Sequence, residues 1–178
     1  MPTDPATVRA RADLDVFISR FTPAIAALVR SVLARMRAHL PGATELVYDK
    51  NNALVVGFGP TERPSDAWFS VVAYPTRVRL FVLQGVELVE AGGDPHGLLE
   101  GGGGVVRSFR IDDAARLGER AVVALVRRAV AQSGKRWDRR APARTIIRAV
   151  AARQRQRRPT PAATARSARP APPFRTRD

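Results

Sequence analysis

The sequence predicts an α+β fold: an antiparallel sheet of about five strands packed against two main helices, followed by a disordered basic C-terminal tail. Three observations carry this reading. Phe21, Ile25, Leu28, Val32 and Met36 recur at spacings of three and four, which lays one apolar stripe along a helix. Between residues 46 and 83, short apolar runs are separated by Asp, Asn, Gly and Pro clusters, as paired strands are by their turns. The order of helices, then strands, then a helix argues against a repeated βαβ unit.

Residues 12–20 are expected to form a short first helix, with Val16 and Phe17 inward. The long helix starts at Thr22-Pro23, because threonine caps free amides and proline lacks one that would be unpaired anyway. Arg30 and Arg37 take its opposite face, and Pro41-Gly42 ends it. Strands at 46–48 and 53–58 flank a turn at 49–52, and the loop 59–66, with Pro60 and Pro64, cannot continue a strand. A second hairpin, 67–74 and 77–83, turns at Pro75-Thr76. In it Arg77 and Arg79 alternate with Val78, Leu80 and Val82, giving one wet and one buried face. Residues 85–104 read as loop with a helical turn at 96–99, and 105–111 as the last strand. Asp112 or Asp113 then caps a helix over 114–132, with Arg116, Arg120 and Arg127 on one face and Gly134 at its end. The folded unit is thus 1–134. Residues 135–152 are expected to be a weak helical extension in which Ile146, Ile147 and Val150 pack back. Residues 153–178, rich in Arg, Pro and Ala, cannot bury enough surface to offset their ordering entropy.

Charge follows the same division. The chain carries 30 basic and 16 acidic side chains in 178 residues, a net of +14. Residues 135–178 hold 14 of the bases against Asp138 and Asp178, which leaves 16 bases against 14 acids for residues 1–134. The body is close to neutral and the tail strongly basic. Hydrophobic residues make up 45%, enough for a core. The absence of cysteine excludes disulfides and thiol nucleophiles. Residues 1–12 lack the apolar segment of an export signal, and arginines interrupt every long apolar stretch, so a cytoplasmic location without membrane contact is expected.

The run from Val82 to Leu88, with Gly85, is followed by Asp94-Pro95, by Leu98-Leu99-Glu100 before the glycines 101–104, and by Arg107. Upstream stand Pro41, Glu45 and Tyr48, and Trp68 and Tyr74 fall on a strand. This pattern resembles the YdhG-like domain family over about residues 14–132. The resemblance implies a compact α+β domain mostly of unknown function, some relatives being described as frataxin-like iron chaperones. Four successive glycines depart from the lysine the family often places there.

Several groups could carry chemistry, each with a structural alternative. Trp68, Tyr74, Arg77 and Arg79 on adjacent strands could bind a small ligand or a protein by stacking and charge, or serve as ordinary sheet packing. Gly101 and Gly103, with Arg107 beyond, could cradle an anion, or form a flexible connector, since the loop lacks a Walker lysine and leads into a strand. Asp94, His96 and Glu100 are three potential metal ligands close in sequence, but the neutral body and the turn-forming Asp94-Pro95 speak against a stoichiometric metal site. His39 reads as a helix-end histidine. Arg153, Arg155, Arg157 and Arg158 form a cluster suited to non-specific nucleic-acid contact, or a solvated tail. No cofactor motif and no catalytic constellation is present, so the expected function is binding rather than catalysis.

Overall fold

The computed structural model describes residues 4–102, 104–153 and 155–158. Helix α1 (Pro5–Ile18) begins earlier than its apolar pattern suggests, because Asp4 accepts a hydrogen bond from the Ala6 amide (3.3 Å) and Pro5 takes the first position. It buries Ala10, Leu14, Phe17 and Ile18, while Val16 is 57% exposed, contrary to expectation. At about 100° per residue, Ala10, Leu14, Phe17 and Ile18 share one arc of the helix, and Val16 falls about 100° beyond its Phe17 edge, on the solvent side. In α2 (Pro23–His39) the Thr22 hydroxyl accepts from the Ile25 amide (3.4 Å), as its sequence requires. The face nearest the sheet is Ala26, Val29, Val32, Leu33 and Met36; Ile25 and Leu28 lie half-buried at its margin.

The strands are β1 (Thr44–Asp49), β2 (Leu54–Gly59), β3 (Phe69–Tyr74), β4 (Arg77–Val82), β5 (Arg107–Ile111) and β6 (Arg144–Val150). Their order is β5-β4-β3-β2-β1-β6. The first five pair antiparallel, but β6 adds parallel to β1, with Glu45 opposite Thr145 and Val47 opposite Ile147. The sheet is therefore six-stranded and mixed, not five-stranded and antiparallel. Its extra strand is the segment expected to extend the fold as a helix. Thr145, Ile146, Ile147 and Val150 are β-branched, which favours the pleated surface, and a short apolar run does not separate the two periods.

Between β4 and β5, α3 (Gly85–Glu90) occupies part of the expected loop. A Cβ on Gly85 would lie 2.4 Å from that of Arg107, so glycine is what allows this approach. The expected helix over 114–132 is divided: Ala114–Gly118 is a 3-10 turn capped by Asp113, and α4 (Arg120–Gln132) follows an extended Glu119. The helices lie on one sheet face, against Val47, Val56, Val71, Leu80 and Phe109. Glu45 also points to that side, 1% exposed, accepting from Arg37 (2.6 and 2.9 Å) and from the Thr145 hydroxyl (3.1 Å). That hydrogen bond raises Arg37 above its ordinary value.

The tail is not free from its start. Residues 155–158 lie against the body, with Arg157 buried, because Asp49, Asn51 and Phe21 offer them partners. Residues 159–178, the rest of the segment expected to be disordered, lie outside the described residues. Among the described residues no helix is long and apolar enough to cross a membrane.

Leu33 is 1% exposed, so Leu33→Ala should cost about 2–5 kcal/mol in urea unfolding. Leu28→Ala should cost distinctly less, and equal losses would contradict the orientation of α2. A second expectation concerns pH. Arg30 joins α2 to α1 through Asp15 (2.7 Å), and this hydrogen bond lowers the Asp15 carboxyl below its ordinary value. The pair's small contribution is complete above the ordinary carboxylate pKa and lost as pH falls through the lowered one. Arg30→Ala should return the Asp15 titration, followed by carboxyl NMR shifts, to the ordinary range.

Candidate functional site

Local sequence builds a cleft on the helix side of the molecule. Pro41 cannot prolong α2, and Gly42 turns the chain with φ +79°, a conformation open to glycine. A Cβ on Gly42 would stand 2.4 Å from the Asp138 carbonyl oxygen, so the same glycine lets residues 138–141 press against this turn. That segment is itself a turn: the Asp138 carboxylate accepts from the Arg140 amide (2.8 Å) and its carbonyl from the Ala141 amide (3.2 Å). Trp137 is thereby held beside the ends of α2 and α4.

The result is a cleft of about 360 Å³. Leu40, Val126, Val130 and Trp137 supply apolar walls, and His39, Arg127 and Arg139 supply the polar ones. The Arg139 guanidinium lies 5.4 Å from the Trp137 ring centroid, a cation–π contact. Among the described residues neither Arg127 nor Arg139 has a carboxylate partner. His39 Nε2 is 2.8 Å from the Leu117 carbonyl; since a carbonyl only accepts, Nε2 carries the hydrogen. The wall is backed by a second aromatic ring. Trp68 meets Trp137 edge to face at 5.3 Å, and its Nε1 donates to the Ser133 hydroxyl (2.8 Å), which donates to the Val130 carbonyl (2.7 Å). Two cations above an aromatic and aliphatic floor suit an anion with an apolar body.

The residues singled out from sequence lie elsewhere. Trp68 turns into the core, 3% exposed, one layer behind the cleft. Tyr74, Arg77 and Arg79 do share the sheet face away from the helices, with the Arg77 guanidinium 4.6 Å from the Tyr74 ring. Arg79, however, is engaged by the Ser108 hydroxyl (3.1 Å) and by Glu100 (2.8 Å). Arg107 donates to the carbonyls of Gly104 and Val106; Gly101 has φ +120°, and Gly103 lies outside the described residues. Asp94 accepts from the amides of Leu98 and Leu99 (2.9 and 2.8 Å), which makes it a turn former, while His96 is exposed. Among the described residues no three potential metal ligands converge. Of the tail arginines, Arg153 and Arg155 are exposed, whereas Arg157 and Arg158 are bound to the body.

Sequence reasoning missed Arg127, Arg139 and Trp137 as a group, and treated His39 as a helix end. Only their approach in space makes a site, although Pro41-Gly42 marks its corner. Gly42→Ala should therefore displace residues 138–141 and weaken the Trp68–Trp137 coupling, read as a loss of near-ultraviolet dichroism and a lower melting temperature. An unchanged spectrum would show that the turn does not hold Trp137. Compared with family models, with curated proteins and with solved structures, the chain shows no match.

Proposed function

We propose that this chain is a non-catalytic binding module, which takes a small ligand with an anionic group and an apolar body into the cleft between the ends of α2 and α4. The observation that carries the reading is the pairing of Arg127 and Arg139, neither in an ion pair among the described residues, with the apolar surface of Leu40, Val126, Val130 and Trp137. Ligand sites combine this kind of apolar enclosure with a few placed polar groups. Guanidiniums recognise carboxylate or phosphate by paired hydrogen bonds, and the indole face accepts a flat apolar group. His39, with its Nε2–H committed to a carbonyl, can offer Nδ1 for orientation, and the described residues that line the cleft include no Ser or Thr hydroxyl.

Anilinonaphthalene sulfonate, an anion on an aromatic body, is the probe for this site. It should bind one to one and quench tryptophan emission, because Trp137 forms a wall. Each hydrogen bond to a charged group is worth about 1.5–3 kcal/mol, so Arg127→Ala with Arg139→Ala should weaken binding by about tenfold or more. Arg79→Ala should leave it unchanged. Near-ultraviolet dichroism must match wild type in each variant, because the dye also binds loosened proteins. Equal affinity in the double arginine variant would refute the assignment.

A further inference from the structure

We infer that the junction of α1, α2 and the β1–β2 turn is a guanidinium-recognition pocket, which this chain closes with its own Arg157 and which an arginine of another peptide can occupy in its place. The pocket supplies what a planar cation with a fork of donors requires. Asp49, its side chain fully buried, accepts from Arg157 Nη2, as do the carbonyls of Lys50 (2.8 Å) and Ala53 (3.4 Å). The ring of Phe21 lies 4.8 Å from the guanidinium carbon. All four groups belong to residues 21–53, and the occupant arrives from the far end of the chain.

Three observations mark this as a receptor with a replaceable guest. Asp49 does not depend on Arg157 for its charge, because Arg20 holds its other oxygen at 2.7 Å. Departure of the guest therefore leaves a paired carboxylate. The guest also fits incompletely: among the described residues Nη2 makes every hydrogen bond, whereas Nε and Nη1 are buried and have no partner there. Buried donors left unpaired weaken an interaction, and an arginine presented at another angle can use the fork. Finally, the neighbouring contacts read main chain. The Arg155 amide donates to the carbonyl and side-chain oxygens of Asn51 (2.8 and 3.1 Å), which any extended peptide could reproduce.

The test uses the full chain with Arg157→Ala and a labelled peptide spanning residues 153–158, followed by fluorescence anisotropy. The peptide should bind the variant saturably and at least tenfold more tightly than wild type, whose pocket is filled. The same peptide with lysine in place of Arg157 should bind the variant at least tenfold more weakly, since an ammonium lacks the fork. Millimolar methylguanidinium, but not methylammonium, should raise the variant's melting temperature towards wild type. If Arg157→Ala does not fold, Arg157→Gln, which keeps one donor for Asp49, carries the same comparison. Equal binding to wild type and variant, or equal binding of the arginine and lysine peptides, would overturn the pocket and leave only charge attraction.

Discussion

Two carboxylates that β1 carries into the interior govern how the rest of the chain is arranged. Glu45 and Asp49 are each 1% exposed, at opposite ends of the same strand. An unpaired carboxylate in such a place costs several kcal/mol, so every element that can supply a cation or donor is drawn to it. Glu45 takes Arg37 from α2 and Thr145 from β6, with Arg11 of α1 at 4.0 Å. Asp49 takes Arg20 from the link between α1 and α2, and Arg157 from beyond β6. Apolar packing would tolerate small shifts of these elements; short hydrogen bonds to buried charge do not. The arginine-rich composition is thus used inside the fold as well as on its surface.

The cleft depends on the same arrangement at one remove. Once Arg37 ties the C-terminal part of α2 to Glu45 of β1, the turn that follows at Pro41-Gly42 has a defined position. The segment leading from α4 to β6 must pass that turn to reach the edge of β1. In passing, it places Trp137 against Trp68 and Arg139 above the indole. The walls of the cleft are therefore by-products of a connection whose purpose is to deliver a strand.

Features set by local chemistry were legible in the sequence. Thr22-Pro23, Pro41-Gly42, Asp113 and the turn at residues 49–52 each act within a few residues, and each stands where its chemistry puts it. Features set by partners distant in sequence were not. Residues 144–150 carry no period that decides between helix and strand, and only the open edge of β1 makes them a strand. The four tail arginines read as one basic cluster, yet Asp49 and the carbonyls near it select Arg157 for burial. The candidate site shows the same limit: His39, Arg127 and Arg139 look like ordinary helix-end and solvated residues until the folded chain brings them together.

The parallel pairing of β6 with β1 has a consequence for how the protein is made. Of the strands, β6 is the last to leave the ribosome, and its partner is the first in chain order. The helices and the antiparallel hairpins join neighbouring segments and can form as they appear. The closing pair must wait for about a hundred residues of intervening chain, and contacts of such long range are slow to form. During that interval β1 is an uncovered edge, with Glu45 lacking one of its donors, and open edges invite pairing with other chains. A polypeptide that stops short of residue 144 remains permanently in that state. Completion of the sheet is thus a checkpoint passed only once residues 144–150 have been made.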